Sequence, residues 1–238
     1  MIDPGREERE LRAYLGDAYD HDRLVHYDRQ LEDELAQVGD EETLYRTSQA
    51  YLYNLTAFAM TRTKEPYLEV LRAAIPPGSK VLDYGCGIGS DGLALLDAGY
   101  DVAFADFDNP STRYLRWRLE QRGRDARIYD LDSEQPPDGF DLAYAFDVIE
   151  HVPDPFAFVE RLEACAQRVL VNFLEPVEGE TDLHHDLPVS ELVRHAAARR
   201  LLRYEVFHGR SHLVLYDRRA GGRVRAKIAL VRGSRRRG

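Results

Sequence analysis

The sequence predicts an α/β protein with a doubly wound, mostly parallel sheet of seven strands and a helical segment in front of it. Between residues 80 and 173, short apolar runs alternate with amphipathic stretches, which is typical of parallel strands joined by crossover helices. The first sixty residues instead repeat apolar side chains at intervals of three and four, the spacing of one helix face. We therefore expect an N-terminal helical cap followed by an α/β domain.

The cap is predicted to span residues 1–64. Its helical pattern runs from about Glu7 to Arg62, with one break at Gly39-Asp40, and a further helix follows at about Glu65–Ala74. Aromatic side chains are frequent in its second half. They are Tyr45, Tyr51 and Tyr53, and they either form one wall of a substrate pocket or belong to an ordinary core. The neighbouring Arg46 is a candidate for binding a carboxylate of a ligand.

The α/β domain is predicted to span residues 65–232, with a basic tail at 233–238. Its first five strands are predicted at Lys80–Tyr84, Asp101–Asp106, Ala126–Tyr129, Asp141–Phe146 and Arg168–Phe173. The runs Leu202–Phe207 and His212–Tyr216 have the spacing of a hairpin. Since Arg223–Val231 is also strand-like, two of these three runs are expected to complete the sheet.

The composition narrows the class of protein. Of 238 residues, 44% are hydrophobic and 31% charged, and the net charge of −10 disfavours a nucleic-acid partner. The two cysteines, Cys86 and Cys165, supply neither a disulfide framework nor a cysteine zinc site. No N-terminal signal core and no apolar run of about 18 residues is present. We expect a soluble, cytoplasmic protein of open oligomeric state, with a homodimer among the alternatives.

The most informative stretch follows the first strand. Residues 83–89 read Asp-Tyr-Gly-Cys-Gly-Ile-Gly. This pattern predicts the end of a buried strand followed by a tight turn, at which a ligand can approach the main chain. A phosphate-binding loop would end in Gly-Lys-Ser/Thr, which is absent. The carboxylate of Asp83 would repel the pyrophosphate of a dinucleotide and suits a ligand with an ammonium group.

This stretch resembles the first motif of class I S-adenosylmethionine-dependent methyltransferases, which have a Rossmann-like fold. Three later landmarks occur in the family's order: an acid at the end of strand two, Asp106; an acidic run at 129–134; and the segment 140–152 with its Glu-His pair. The segment 186–192 is similar to members of the ubiquinone-biosynthesis type. The resemblance covers about residues 65–216 and implies the fold and the cofactor S-adenosylmethionine.

The resemblance also implies cofactor-binding roles. Asp83 supports the methionine end, and Asp106 accepts from both ribose hydroxyls. The adenine amino group is assigned to Asp132 in preference to Asp130, although Asp132 could instead be an ordinary turn residue. The remaining cofactor-binding candidates are the backbone at Gly85 and Gly87, the ring of Phe107, which could also be a buried core aromatic, and the backbone at Phe146. Gly89 is expected either at the cofactor or in helix packing.

The acceptor side is less well defined. Asp147 could face the reacting centre or cap the next helix. His184 and His185 follow strand five at the carboxyl edge of the sheet, where a histidine could accept a substrate proton. A solvated loop is the alternative, and His151 is more simply a packing residue. His184 and His185 with Asp186 could also hold a divalent metal, although no metal is expected.

The predicted function is methyl transfer from S-adenosylmethionine to O, N or C of a small molecule, such as a specialised or cofactor-pathway metabolite. A peptide or protein methyltransferase and a non-catalytic, S-adenosylmethionine-binding regulatory protein are the alternatives. The sequence after strand four is Phe146-Asp147-Val148-Ile149. It lacks the Pro-Pro-Tyr/Phe signature of enzymes that methylate the amino group of adenine or glutamine, and the Pro-Cys signature of cytosine C5 methyltransferases. No membrane partner is expected.

Overall fold

The computed structural model describes residues 1–39, 41–175, 177 and 184–219, apart from the side chains at 28–30, 32, 33, 41 and 42. The chain divides into two compact units, residues 1–137 and 138–238. The seven strands found among the described residues belong to one sheet, so the predicted α/β fold class is confirmed. Of the predicted elements, the strand at Arg223–Val231 and the tail at 233–238 lie outside the described residues. Among the described helices, none has the length and apolar character needed to cross a membrane.

The described part of the first unit begins with six α-helices. They are α1 (Pro4–Leu15), α2 (His21–Val25), α3 (Tyr27–Val38), α4 (Glu41–Thr47), α5 (Ala50–Thr61) and α6 (Glu65–Ala74). The expectation of a single break in the N-terminal helical pattern is wrong. Gly16 ends α1 with φ +55°, and the side chain of Asp20 caps a new helix by accepting from the amide of Asp22. Asp and Gly compete with helix continuation at such positions, although the apolar spacing continues across them.

Three parallel strands follow in the first unit, in the order β3-β2-β1. They are β1 (Lys80–Tyr84), β2 (Asp101–Asp106) and β3 (Ile128–Asp130), joined by α7 (Ser90–Asp97) and α8 (Pro110–Gln121). Val81, Leu82 and Phe104 are fully buried, as expected for strands covered on both faces. The register pairs Asp83 with Phe104 and Asp106 with Asp130. Each strand therefore ends in or beside an acidic residue at the same edge.

The second unit, where the structure describes it, holds four strands in the order β4-β5-β7-β6. They are β4 (Phe140–Ala145), β5 (Ala166–Leu174), β6 (Arg200–Phe207) and β7 (Ser211–Asp217), with α9 (Pro155–Cys165) and α10 (Val189–Ala198) between them. β4 and β5 are parallel, and β7 is antiparallel to both β5 and β6. The predicted hairpin is confirmed, and His208 and Gly209 turn it with positive φ angles of +52° and +78°.

A buried core joins the cap helices to the turn after β1. The buried residues of this core all belong to the first unit: Leu11, Leu24, Leu52, Tyr53, Ala57, Ile88 and Tyr114. Ile88 belongs to the glycine-rich turn, so the turn shares one core with α1, α2 and α5. The Tyr53 hydroxyl accepts from the amide of Asp20 at 2.9 Å. This tyrosine is therefore a core residue, whereas the rings of Tyr45 and Tyr51 pack edge to face, 5.0 Å apart, and are only half-buried.

The same region contains a buried ion cluster centred on Arg118 of α8, which has no exposed surface. Its guanidinium donates to Glu7 and Glu10 of α1, at 2.5 and 2.8 Å. It also donates to the carbonyl of Ile88 and to the hydroxyl of Ser90, both at 2.9 Å. Ser90 in turn donates to Glu7 at 2.6 Å. The cluster joins the first helix of the chain to the glycine-rich turn.

We expect Arg118→Ala to lower the free energy of unfolding by about 3–5 kcal/mol, because it removes the nearest cation of the buried Glu7 carboxylate and leaves only Arg122, at 3.7 Å. Arg116→Ala is the matched control, since this arginine of the same helix pairs with Asp108 in solvent and should change stability by less than about 1 kcal/mol. Urea unfolding of both variants measures the difference. Equal effects would contradict a special role for the buried cluster.

Candidate active site

The glycine-rich turn connects β1 to α7 through three residues with left-handed backbone. Gly85, Gly87 and Gly89 have φ of +75°, +51° and +72°, a region that side chains strain. A Cβ on Gly87 would lie 3.0 Å from Leu55 Cδ1 of α5, and one on Gly89 only 2.4 Å from Leu115 Cδ1 of α8. The packing alternative for Gly89 is thus the one that its surroundings support.

Asp106 joins the end of β2 to this turn. One carboxylate oxygen accepts from the Gly87 amide at 2.7 Å, and the other accepts from the Phe107 amide at 2.8 Å. Burial raises the pKa of Asp106 to about 6, helped by the nearby negative charge of Asp132 and opposed by the two amide hydrogen bonds. The carboxylate is therefore ionised at neutral pH and fixed in orientation, with acceptor capacity beyond the two bonds it already makes.

Asp83 lies one residue before the end of β1 and is only 4% exposed. Gly92 in the first turn of α7 makes room for it: a Cβ there would lie 2.8 Å from Asp83 Oδ2 and 2.3 Å from the ring of Phe104.

The thiol of Cys86 lies in the glycine-rich turn. Burial, followed by the charges of Asp106 and Asp83, raises the pKa of the Cys86 thiol well above its ordinary value. This thiol is protonated at neutral pH and is no nucleophile.

Phe107 and Asp132 are brought together by Arg46 of α4. The guanidinium donates to both carboxylate oxygens of Asp132, at 2.7 and 2.9 Å, and lies 4.6 Å from the centre of the Phe107 ring. The pair with Arg46 lowers the pKa of Asp132. Phe107 is 39% exposed, so the alternative of a buried core aromatic is wrong. An exposed aromatic ring beside an acid suits a flat, hydrogen-bonding ligand.

In the second unit, Asp147 follows β4 with a left-handed backbone, φ +54°. Its amide donates to Asn172 Oδ1 at 2.9 Å, and Asn172 Nδ2 donates back to Asp147 Oδ1 at 2.7 Å. Asn172 is fully buried in β5 and also donates to Ser211 of β7 at 3.1 Å. Asp147 does not cap the next helix, whose first turn has no side-chain cap. Phe146, the preceding residue, is buried, and its ring packs 4.7 Å from that of Tyr144.

A second polar cluster of this unit contains Glu150, His151 and His184, whose ligand atoms lie within 4.8 Å of one another. The two imidazole rings meet edge to face at 4.9 Å, and Glu150 is buried. Two histidines and a carboxylate at this spacing could hold one divalent cation. His185 is placed differently: its amide donates to the Glu150 carbonyl at 2.7 Å, while its side chain and that of Asp186 are exposed.

Comparison with known proteins identifies the family. The family described as a methyltransferase domain matches residues 58–220, more than half of the chain. The chain belongs to this family. The resemblance found in the sequence is thereby confirmed at the level of the family, and the match begins in α5, so part of the predicted cap falls within it.

Curated relatives match about two fifths of this chain. They include ubiquinone biosynthesis O-methyltransferases of Idiomarina loihiensis, 35% identical over 94 residues, and of Thiobacillus denitrificans, 34% identical over 97 residues. These alignments cover 38% and 39% of the chain and 37% and 40% of the relatives. The chain thus spans less than half the length of the curated relatives that it matches.

Solved structures share the fold at low sequence identity. Magnesium protoporphyrin IX methyltransferase (ChlM) from Synechocystis PCC 6803, solved with bound SAH, is 16% identical with a TM-score of 0.58, covering 89% of this chain and 99% of that one. The [4+2]-cyclase SpnF is 15% identical with a TM-score of 0.57, covering 69% and 84%. Because one of these two is named a cyclase, the shared fold alone does not define the reaction.

We expect the difference in unfolding free energy between the wild type and Asp106→Asn to depend on pH. The folded pKa of about 6 lies above the ordinary value of 3.8. A raised pKa means that the folded state binds the proton more tightly. The stability contribution of Asp106 is therefore complete below about pH 4 and lost as pH rises through 6. Urea unfolding at a series of pH values measures it; a flat difference between pH 4 and 7 would contradict the burial of this carboxylate.

Proposed function

We propose that this chain is an S-adenosylmethionine-dependent methyltransferase that transfers a methyl group to a small molecule. The observation that carries the proposal is the hydrogen bond from the Gly87 amide to Asp106. It joins the glycine-rich turn to the acid at the end of β2, two of the four landmarks on which the resemblance depends. Membership of the methyltransferase-domain family supports the reaction class, and the names of the curated relatives support oxygen as the acceptor atom.

The residues present fit the cofactor. The turn has left-handed glycines at its centre, where a side chain on Gly87 would meet α5. Three carboxylates, those of Asp83, Asp106 and Asp132, lie at or just after strand ends of the first unit. A ligand with a sulfonium and an ammonium group gains from that negative field, whereas a pyrophosphate is repelled.

The roles follow from this chemistry. Asp106 accepts hydrogen bonds from the ribose hydroxyls, and its two amide bonds hold it ready to do so without rearrangement. Asp83, buried behind the turn, balances the ammonium end, directly or through water. Phe107 and Asp132 are assigned to the adenine, by packing and by accepting from its amino group. The backbone at Gly85, Gly87 and Phe146 is assigned to close contact with the cofactor.

When bound, S-adenosylmethionine supplies an activated methyl group on its sulfonium. The chain must then orient the acceptor in line with that methyl group and exclude water, and orientation of this kind can contribute about 7–11 kcal/mol. A proton acceptor is needed only for an acceptor that loses a proton. We assign this role to His184, whose ring lies beside His151, and keep His185 and Asp147 as further candidates.

Asp106→Ala should weaken S-adenosylhomocysteine binding by about a hundredfold or more, because it removes two hydrogen bonds to a charged group, each of which contributes about 1.5–3 kcal/mol. Asp101→Ala, an exposed acid at the opposite end of β2, should leave the affinity unchanged. Calorimetric titration with S-adenosylhomocysteine, S-adenosylmethionine and NAD tests the assignment. Binding of NAD alone would overturn the methyltransferase proposal, and unchanged affinity in Asp106→Ala would reject only the ribose assignment.

His184→Ala should lower the turnover number by about a hundredfold or more, with little change in cofactor affinity, if His184 accepts the substrate proton. His185→Ala is the comparison. Because the His185 side chain is exposed, its removal should lower the turnover number less than that of His184. A cofactor-consumption screen over phenols, amines and carbon acids first identifies the acceptor, and turnover is then measured with it. A larger loss in His185→Ala would transfer the role to that residue.

A further inference from the structure

We propose that Arg46 is a built-in competitor for the adenine end of the cofactor site, so that cofactor binding requires its side chain to move away. The inference rests on the proposed function, since it concerns the regulation of the same site. Both side chains assigned to the adenine, Asp132 and Phe107, are engaged by this one guanidinium. No other residue of the described cap makes both contacts.

The contact is specific in geometry. Arg46 Nη1 and Nη2 reach opposite oxygens of Asp132, at 2.7 and 2.9 Å, the fork-to-fork arrangement that arginine forms with carboxylates. The guanidinium carbon lies 4.6 Å from the centre of the Phe107 ring, within the range of a cation–π contact.

The guanidinium offers the same chemistry as the adenine edge. It is planar, it stacks on aromatic rings and it carries N–H donors in its plane. Each Asp132 oxygen keeps a free acceptor site, so the competition is for space: an adenine that stacks on Phe107 and reaches Asp132 in its own plane overlaps the guanidinium that already makes both contacts. The two groups therefore compete for the same position, and one must leave before the other binds in full.

The contact is also weak enough to open. The side chains of Arg46 and Asp132 are 33% and 40% exposed, and exposed ion pairs stabilise a fold little because water and salt screen them. The helix that carries Arg46 is anchored separately. Leu44 of α4 is fully buried, and Ser48, just after this helix, donates to Glu34 of α3 at 2.8 Å. Rotation of one side chain can thus clear the adenine side while α4 stays in place.

The experiment compares Arg46→Ala with Arg12→Ala. Arg12 is a matched control within the cap, because it also pairs with a carboxylate, that of Glu8, and lies 4.7 Å over a ring, that of Tyr19. We expect Arg46→Ala to bind S-adenosylhomocysteine and adenosine about three- to tenfold more tightly than the wild type, and Arg12→Ala to be unchanged. The gain should persist with adenosine, since the competition is at the adenine end.

Salt provides a second measurement. Raising the ionic strength screens the exposed pair, so the affinity of the wild type for adenosine should rise while that of Arg46→Ala stays constant. Arg46→Gln replaces the alanine variant if circular dichroism shows that the latter is unfolded. Unchanged or weaker binding by folded Arg46 variants overturns the competitor role, and weaker binding would make Arg46 a cofactor ligand. If no variant, the wild type included, binds either ligand, the proposed function itself fails.

Discussion

The first unit depends on the ion pairs and hydrogen bonds made by the buried guanidinium of Arg118. This guanidinium donates to two carboxylates of α1 and, through the carbonyl of Ile88 and the hydroxyl of Ser90, holds the end of the glycine-rich turn. A buried cation is stable only when its surroundings are complete, so α1, α8 and the turn must be in place together. The N-terminal helix is therefore part of the structural support of the candidate site.

The same contacts hold the glycine-rich turn in place, and that turn orients the acid at the end of β2. Ile88 is held by Arg118, and Gly87, the residue before it, donates to Asp106. Leu55 of α5 lies close above the same turn, so the cap restricts the turn from one side while the sheet restricts it from the other. Groups that bind a ligand without reorganising stabilise it most. The rigid turn and the movable Arg46 thus divide the site into a fixed part and an adjustable part.

Much of the fold was predictable because alternation of strands and helices is a local signal. The segmentation of the cap was not, because Gly16 and Asp20 interrupt helices whose apolar spacing continues across the breaks. Within the site, Asp83 and Asp106 stand out beside apolar strands, whereas the contact of Arg46 with Asp132 joins residues 86 positions apart and has no sequence signal. Two missed residues did leave a trace: Asn172 is polar within an apolar strand, and Gly92 lies inside a helix.

Asp147 illustrates how backbone and side chain can restrict the same position. A left-handed backbone in a residue other than glycine is tolerated best by Asn and Asp, and only a side-chain oxygen can accept the hydrogen bond from Asn172. Very few residue types can therefore replace Asp147 in related chains. Because the amide of Asn172 also reaches Ser211, that restriction spreads to β7, and the three positions are expected to drift together among related chains rather than independently.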